Sequence, residues 1–447
     1  MTRLTALPAV LIMASLLAAC EAVSNNTSPS PTNTPAPATT AQFVGTSLPA
    51  SSPSDTNVPA APTAAAAANT PAPAGISDWS KLTTIAVLNG QAVFSPDGQR
   101  ILTTSGDNTA RLWDANGKLV ATLSGHTDAV VSAVFSPDGQ RILTASNDNT
   151  YRLWDADGKL VAILGGHTFA VSIAVFSPDG QRILTASLDH TVRLWDKDGK
   201  PIATLSGHTA DVFTAEFSPE GQRILTASYD NTARLWDKDG KPIATLSEQT
   251  GTEYRAAFSP DGQHILTTSG DNAARLWNAD GKLVATLSGH TGQVHSAVFS
   301  PDGQRILTAS YDKTARLWDV DGKLVAILSG HTDSVGRAKF SPDGQRILTA
   351  SADNTARLWD KDGKLLITLS GHTDAVYSVV FSPDGQRILT ASGDKTARLW
   401  DKDGKLVAIL SGHTDKVYNA VFSPDGRQRI LTTSVDNTVR LWGLAGK

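Results

Sequence analysis

The chain has 447 residues, of which 18% are charged, and its formal net charge is −4 at pH 7. Such a near-neutral mixture of charges argues against a nucleic-acid-binding protein that depends on phosphate contacts. The single Cys excludes an intrachain disulfide framework and a zinc site built from cysteines. The 10 Trp beside only 6 Tyr are an unusual ratio, and they raise the question of whether the Trp residues are periodic.

Residues 1–20 have the pattern of an export signal. One Arg precedes an apolar stretch, residues 4–19, which is short for a transmembrane helix and normal for a signal peptide. The stretch ends in the sequence LAAC, which resembles the bacterial lipoprotein box. The resemblance implies that Cys20 is lipidated and becomes the mature N-terminus, so that the protein is exported and anchored in the bacterial cell envelope, in the cell membrane or the outer membrane. An ordinary secretory signal with an incidental Cys is the alternative.

Residues 21–77 are rich in Ser, Thr, Pro, Ala and Asn and contain only two ionised side chains, Glu21 and Asp55. A segment with so many prolines and so few large apolar side chains cannot form a packed core. We therefore expect a disordered linker that separates the following domain from a membrane.

Nine of the ten Trp residues recur at a nearly fixed interval in residues 78–447. They stand at positions 113, 154, 195, 236, 277, 318, 359, 400 and 442, so that the interval is 41 residues and, once, 42. The one extra residue lies in Arg427-Gln428-Arg429, where other units have Gly-Gln-Arg. A fixed period near 40 residues predicts a repeat architecture.

Each unit contains four short strand-like runs separated by turn signals. In the unit 117–157 the runs are LVATL, VVSAVF, RILTAS and TYRLW, with a tight turn at Ser136-Pro137-Asp138-Gly139. Four short strands with hairpin turns are typical of a β-propeller blade, whereas the apolar spacing of a helical solenoid is absent from the sequence. The sequence therefore predicts an all-β propeller.

The two ends of the repeat region complement each other. The last unit stops after its third strand, and the segment from residue 78 precedes the first VFSPDG in the register of a fourth strand. We expect this N-terminal strand to join the C-terminal blade and close a ring of nine blades, because closure removes open strand edges. A ring of seven or eight blades with displaced units, or a ring shared between chains, is the alternative.

The units resemble the WD-repeat β-propeller family through Gly125-His126, Ser146, Asp148 and the Leu153-Trp154-Asp155 motif. The resemblance covers all nine units and implies that a His, a Ser, an Asp and a Trp hydrogen-bond in series in a blade. The complete sets are His126/Ser146/Asp148/Trp154, His167/Ser187/Asp189/Trp195, His208/Ser228/Asp230/Trp236, His290/Ser310/Asp312/Trp318, His331/Ser351/Asp353/Trp359, His372/Ser392/Asp394/Trp400 and His413/Ser434/Asp436/Trp442. Gln249 and Ile85 replace the His in the other two units.

A hydrolase interpretation of these Ser, His and Asp residues is unconvincing. An active site needs one constellation rather than seven, and no oxyanion-hole motif accompanies any single Ser. The acidic turns such as Asp155 to Gly158 are short of the oxygen ligands and the bidentate Glu of a calcium loop, so solvated hairpin turns are favoured. We expect no enzyme activity, no cofactor and no metal site.

The repeats are nearly identical, so the positions that differ are informative. The variable columns lie five and three residues after the His, and immediately before the Asp; they belong to one rim of the ring. Five of the six Tyr fall in two of these columns, and Tyr gives a large contact area at a low entropic cost. The candidate partner-binding rim comprises Phe169, Phe213, Tyr229, Tyr254, Arg255, His295, Tyr311, Arg337, Tyr377 and Tyr418. Neutral drift at tolerant loop positions is the alternative.

The sequence thus predicts a non-catalytic scaffold whose rim binds a protein or a peptide, with a lipid anchor as its sole membrane contact and without nucleic acid. A lectin-like propeller that binds carbohydrate or cell-wall ligands is a second possibility, since exposed aromatic rings also stack on sugars. A propeller enzyme is a third, but no column supplies convergent acids or metal ligands in the central channel.

Overall fold

A computed structural model describes residues 78–247 and 255–444 of the chain. Within these residues, 36 β-strands form nine four-stranded antiparallel sheets, which are the blades of a nine-bladed propeller. The helical content of the same residues is one 3-10 turn, Trp79–Lys81. The predicted all-β fold and the predicted blade number are confirmed, whereas the expectations for residues 1–77, including Cys20, lie outside the described residues.

The strands are numbered in chain order, and each blade is built from strands that are consecutive along the chain, with one exception. Blade 1 contains β2 Gln91–Phe94, β3 Arg100–Thr104, β4 Ala110–Asp114 and β5 Leu119–Leu123; blade 2 contains β6 Val130–Phe135, β7 Arg141–Ser146, β8 Tyr151–Asp155 and β9 Leu160–Leu164; blade 3 contains β10 Val171–Phe176, β11 Arg182–Ser187, β12 Val192–Asp196 and β13 Pro201–Leu205. Blade 4 contains β14 Val212–Phe217, β15 Arg223–Ser228, β16 Ala233–Asp237 and β17 Pro242–Leu246; blade 5 contains β18 Arg255–Phe258, β19 His264–Thr268, β20 Ala274–Asn278 and β21 Leu283–Leu287; blade 6 contains β22 Val294–Phe299, β23 Arg305–Ser310, β24 Ala315–Asp319 and β25 Leu324–Leu328. Blade 7 contains β26 Val335–Phe340, β27 Arg346–Ser351, β28 Ala356–Asp360 and β29 Leu365–Leu369; blade 8 contains β30 Val376–Phe381, β31 Arg387–Ser392, β32 Ala397–Asp401 and β33 Leu406–Leu410; blade 9 contains β34 Val417–Phe422, β35 Ile430–Ser434, β36 Thr438–Leu444 and, from the other end of the domain, β1 Leu82–Asn89.

The exception is the strand that closes the ring. β1 pairs antiparallel with β36, from Leu82 opposite Leu444 to Asn89 opposite Thr438. Leu88 of β1 is buried in a cluster with Leu431 and Leu441 of blade 9. The two ends of the propeller therefore complete one sheet together, as predicted from the missing fourth strand of the last unit and the extra N-terminal strand.

The repeated turns explain why each blade folds in the same register. In the SPDG turn of blade 2, the Ser136 hydroxyl donates to the Asp138 carboxylate over 2.6 Å and accepts the Arg141 N–H over 2.8 Å. Gly139 has a φ of 68°, a backbone conformation that is strained for other residues. The turn thus supplies its own hydrogen-bond partners, which fixes the pairing of β6 with β7.

The hydrophobic core lies between the blades. One cluster joins Leu143 and Leu153 of blade 2 to Val171, Ile183 and Trp195 of blade 3, all of them buried. Similar clusters join the other neighbouring blades. Because a single blade buries one face against each neighbour, the blades depend on the ring for their stability.

The first strand of each blade lies at the centre of the ring. The nine innermost strands are β2, β6, β10, β14, β18, β22, β26, β30 and β34; β6, β10, β14 and β18 contact one another in succession, and so do β22, β26, β30 and β34. Their side chains reach the backbone of the next blade: the Ser172 hydroxyl donates to the Val212 carbonyl over 2.9 Å. In the described part of the chain, no helix has the length and apolar character needed to cross a membrane.

Candidate binding rim and central channel

A buried network of side chains links the strands within a complete blade. In blade 2, His126 Nδ1 lies 2.9 Å from Asp148 Oδ2, and His126 Nε2 lies 2.9 Å from the Thr144 hydroxyl. The Trp154 indole N–H donates to the same hydroxyl over 2.9 Å. One direction of donors satisfies every member: Trp154 donates to Thr144, Thr144 donates to Nε2, and Nδ1–H donates to the carboxylate.

This direction of donors uses a neutral imidazole. Burial lowers the pKa of His126, while hydrogen bonding to Asp148 and its negative charge oppose that shift. A second proton would occupy Nε2, where the ring accepts from Thr144. The His therefore has a structural role: its Nδ1–H donates to the Asp carboxylate, and its Nε2 accepts from the Thr hydroxyl.

The observed network differs from the predicted sets of His, Ser, Asp and Trp in the residue that accepts the Trp indole N–H. In blades 2, 4 and 8 the indole N–H donates to a Thr hydroxyl, and the predicted members Ser146, Ser228 and Ser392 are not its acceptors. The observed bonds, of 2.9, 2.9 and 3.0 Å, are those of Trp154 with Thr144, Trp236 with Thr226 and Trp400 with Thr390. The predicted series of His, Ser, Asp and Trp therefore differs from the observed one, in which a Thr that the prediction left out accepts from the Trp.

The same Thr hydroxyls also contact the His in blades 4 and 8. His208 Nε2 lies 2.9 Å from Thr226, and its Nδ1 lies 2.9 Å from Asp230 Oδ2. The corresponding distances in blade 8 are 2.8 Å from His372 to Thr390 and 2.7 Å from His372 to Asp394. Each Thr is thus the shared partner that joins the Trp to the His.

The Ser holds the loop that carries the Asp. The Ser146 hydroxyl donates to the Asp128 carbonyl over 2.8 Å and accepts the Asp148 N–H over 3.1 Å. Because these bonds fix the backbone on both sides of the network, the Ser positions the Asp and has a different task from the one expected.

Two blades are built without the His. Ile85 lies within β1 of blade 9, and the blade that follows it, blade 1, keeps the Trp113 to Thr103 bond of 2.9 Å. Its Asp107 pairs with Arg111 over 2.5 Å. In blade 5, Asp271 pairs with Arg275 over 2.6 Å in the same way, while Gln249 lies outside the described residues.

The corresponding Arg of blade 2, where the His is present, has another partner. Arg152 donates to the Gly125 carbonyl over 2.6 Å, and a Cβ at Gly125 would lie 2.5 Å from this guanidinium. Gly125 has a φ of 133°, so the Gly of the Gly-His pair is needed both for its conformation and for the close approach of Arg152.

The acidic turns bind their own backbone. The Asp155 carboxylate accepts the N–H groups of Asp157 and Lys159 over 3.0 and 2.8 Å. Within residues 78–247 and 255–444, no group of three or more His, Cys, Asp or Glu side chains is arranged to hold a metal ion.

The structure brings the variable columns of the sequence together on one rim. The residue before the Asp donates its N–H to the residue three positions after the His: Tyr229 bonds to the Asp211 carbonyl over 3.0 Å, and Tyr311 bonds to the Gln293 carbonyl over 3.1 Å. The two loops are thereby adjacent in the seven blades that contain the His.

Two pairs of aromatic rings form where these columns meet. The rings of Phe213 and Tyr229 have centroids 3.7 Å apart in blade 4. In blade 6, His295 and Tyr311 stack with centroids 5.4 Å apart, and the Tyr311 hydroxyl lies 3.3 Å from His295 Nδ1. Burial lowers the pKa of His295 to about 4, with a further contribution from the charge of Arg255.

The remaining rim candidates differ in exposure. Phe169 is 60% exposed and Tyr311 is 43% exposed, whereas Tyr377 and Tyr418 are half-buried. Burial raises the pKa of the Tyr418 hydroxyl. Tyr254 lies outside the described residues. Phe169 and Tyr311 are thus the rim aromatics best placed to contact a partner.

Arg255 and Arg337 lie on the innermost strands β18 and β26. Sequence reasoning missed two charged residues on the same set of strands. Glu216 of β14 accepts the Phe258 N–H of the next blade over 2.7 Å, and burial raises the pKa of this carboxyl to about 7. Lys339 of β26 stands at the equivalent position of blade 7. The sequence could have identified Glu216 and Lys339, because six of the other blades have Val at this position: Val93, Val134, Val175, Val298, Val380 and Val421.

A closed propeller with Trp, Thr, His and Asp networks in its blades defines a WD-type β-propeller. A family profile described as "WD domain, G-beta repeat" matches nine segments of the chain. They are residues 80–114, 117–155, 158–196, 199–237, 240–278, 281–319, 322–360, 363–401 and 404–443. These matches cover most of the chain, which therefore belongs to the WD40 repeat family. Proteins of this family are generally non-catalytic scaffolds that bind proteins or peptides.

The fold is shared with solved structures. The crystal structure of the C-terminal WD40 domain of Sif2 has a TM-score of 0.59 and 20% sequence identity; the match covers 82% of this chain and 99% of that one. At this identity the similarity establishes the fold alone. A comparison with curated proteins found no match.

Replacing Thr144 by Val should destabilise blade 2, because the buried Trp154 N–H and His126 Nε2 both lose their partner. Each unsatisfied group costs about 1–3 kcal/mol. Thr103→Val in blade 1 is the matched control, since blade 1 has no His at this place and the change affects the Trp113 N–H. We expect hydrogen exchange in β7 of the first variant to accelerate more than exchange in β3 of the control; equal acceleration would contradict the network.

The raised pKa of Glu216 predicts a pH dependence of stability. A carboxyl whose pKa rises on folding stabilises the fold fully below its unfolded value, 4.5, and this contribution is lost as the pH rises through about 7. Relative to Glu216→Gln, the wild type should lose up to about 3 kcal/mol of unfolding free energy between pH 4 and pH 8. Denaturant titrations at each pH measure the difference. Glu220→Gln, on an exposed turn, is the control, and a pH-independent difference for Glu216→Gln would refute the prediction.

Proposed function

We propose that this propeller is a non-catalytic scaffold that binds a protein or a peptide at its rim and is tethered to the bacterial cell envelope through a lipid on Cys20. The membership in the WD40 family supports the general role. The observation that favours the rim is the convergence of its variable columns: residues that differ between blades are hydrogen-bonded neighbours on one face.

The chemistry of the rim suits recognition of a polypeptide. The exposed ring of Phe169 and the exposed edge of the stacked Tyr311 and His295 pair offer apolar area next to polar atoms. Aromatic residues dominate the binding energy of protein interfaces because they bury a large area with few rotatable bonds. The constant networks below them supply a rigid frame, which limits the entropy lost on binding.

The N-terminal sequence supports the proposed location in the cell envelope. The only Cys of the chain stands at the end of the signal-like segment, and lipid chains contribute about 0.8 kcal/mol of membrane affinity per buried CH₂. Residues 21–77 then provide a spacer between the anchor and the propeller.

The double variant Phe169→Ala/Tyr311→Ala should weaken binding of a partner by at least about tenfold, because truncated aromatic contacts typically cost more than about 1 kcal/mol each. Proteins cross-linked to the wild type in cells are identified, purified and titrated against each variant. Ile163→Ala/Ile327→Ala is the control; it removes similarly exposed apolar side chains from outer strands, where 52% and 47% of each residue is accessible. Unchanged affinity of the rim variant, or an equal loss in the control, would argue against the rim.

Cys20→Ser should release the protein from the membrane fraction and abolish incorporation of a labelled fatty acid, because no other thiol can accept the lipid. Ser24→Ala is the control for a change near the processing site. Membrane association and labelling that persist in Cys20→Ser would rule out the lipoprotein anchor.

A further inference from the structure

Three departures from the repeat pattern lie where the ring closes. Arg427 is an extra residue in the SPDG turn of blade 9, Gly443 stands where seven other blades have Asp, and Ile85 of β1 stands where seven blades have His. Because the units are otherwise nearly identical, three departures in one region indicate a task that the other blades do not have.

Gly443 makes room for the closing strand. A Cβ at Gly443 would collide with Cδ1 of Ile85, which is partly buried against the core cluster of blade 9. In blade 2, the equivalent Asp155 accepts the N–H groups of the turn that leads into the outer strand. Blade 9 receives its outer strand from the other end of the domain, so β36 and this strand are not joined by such a turn. The replacement of Asp by Gly therefore lets Ile85 lie directly against the backbone of β36.

The extra residue changes the partner of the Arg that ends the turn. In blades 2 and 3 the second strand begins at this Arg, whose guanidinium lies 3.6 and 3.2 Å from Asp198 and Asp239 in the outer turn of the next blade. In blade 9 the second strand begins one residue later, at Ile430. Arg429 pairs instead with Asp425 of its own turn over 2.5 Å, and both side chains are largely buried. The turn of blade 9 therefore holds a buried carboxylate beside blade 1.

This carboxylate joins blade 9 to blade 1. Gln99 Nε2 of blade 1 donates to Asp425 Oδ2 over 3.1 Å, and Arg427 Nη1 donates to Gln99 Oε1 over 3.5 Å. Arg429 Nη1 adds a bond of 3.2 Å to the Ala115 carbonyl in the outer turn of blade 1. The ion pair thus connects the turn of blade 9 to two separate turns of blade 1 through charge-assisted hydrogen bonds.

Blade 2 shows how the same positions behave without the extra residue. Its Gln140 Nε2 donates to the Asp138 carbonyl within its own turn over 3.3 Å. Blade 1 also departs from the repeat where it meets blade 9, because Asn116 stands where seven other outer turns have Asp. This change fits an Arg429 whose charge is already neutralised by Asp425.

We propose that Ile85, Gly443 and the turn 425–429 form a clasp that controls the release of the closing strand β1. Of the nine outer strands, β1 is the one that no turn connects to the third strand of its blade, so pairing and packing hold it there. β1 ends at Asn89 and β2 begins at Gln91, so a single residue separates the closing strand from blade 1. While the clasp holds blade 1 against blade 9, β1 is held against β36. Release of β1 would leave β36 with an open edge, which the same strand of a second copy could fill, and the clasp therefore favours closure by the strand of the same chain.

The repeats supply variants that test the clasp. Deletion of Arg427 gives blade 9 the Gly-Gln-Arg sequence of other units, so this variant is expected to fold. Arg427→Ala is its matched control, because it keeps the length of the turn and removes a side chain that is 67% exposed. Gly443→Asp introduces the residue that seven other blades have, with a Cβ that collides with Ile85. Gly443→Asp/Ile85→Ala relieves this collision.

Hydrogen–deuterium exchange of the full chain, resolved by strand, measures the release of β1. We expect exchange in β1 and β36 to accelerate at least about tenfold in the deletion variant and in Gly443→Asp, while β31 and β32 of blade 8 exchange as in the wild type. Arg427→Ala should exchange at nearly the wild-type rate, and Ile85→Ala should restore part of the protection that Gly443→Asp loses. A fluorescein-labelled peptide of residues 78–90 should enter blade 9 of the deletion variant faster than that of the wild type, because β1 has to leave before the peptide pairs with β36.

Three outcomes would overturn the clasp. The first is wild-type exchange of β1 in the deletion variant and in Gly443→Asp. The second is an equal acceleration in all nine blades, which would indicate a general loss of stability. The third is a loss of protection in Arg427→Ala as large as in the deletion variant, because the exposed guanidinium rather than the length of the turn would then hold blade 1. None of these measurements depends on a rim partner or on a lipid at Cys20, so the clasp and the scaffold proposal are tested separately.

Discussion

The hydrogen bond from a Trp indole to a buried Thr hydroxyl is a side-chain contact that all nine blades share. It spans 2.8–3.0 Å from Trp113 in blade 1 to Trp442 in blade 9. The His and Asp extend this bond to the loops in seven blades, and an Asp–Arg pair occupies the place of the His in blades 1 and 5. Because the Trp rings also fill the core between blades, the same residue satisfies a polar requirement and an apolar one, and it therefore recurs once in every unit.

The sequence was sufficient for the architecture because period, turn chemistry and the complementary ends all constrain the same ring. The sequence was not sufficient to identify which hydroxyl accepts the Trp indole N–H. Thr144 and Ser146 stand two residues apart, share one face of β7 and recur in every complete blade, so that periodicity cannot separate them; only the pairing of β7 with β8, which sets Ile142 opposite Trp154, does so. The charges of the innermost strands were missed for another reason. The variable loop columns include Arg255 and Arg337 but not Glu216 and Lys339, although these two interrupt a column of Val.

The near-identity of the blades separates the residues that maintain the fold from those free to differ. The network, the SPDG turns and the inter-blade cores occupy the constant positions, which leaves the ends of the loops and the innermost strands as the places where one blade can be made unlike another. One side of the ring therefore differs from the other: aromatic pairs lie on blades 4 and 6, and basic residues lie on the innermost strands of blades 5 and 7.

The way the ring closes also determines how it responds to mechanical load. A pull on the chain from its N-terminal side reaches the propeller at Leu82, so the pairing of β1 with β36 bears the load before any other pair of strands. If Cys20 is the membrane anchor, tension between the envelope and a partner held at the rim would open blade 9 before any other blade, and the closing strand would be the first element of the propeller to yield.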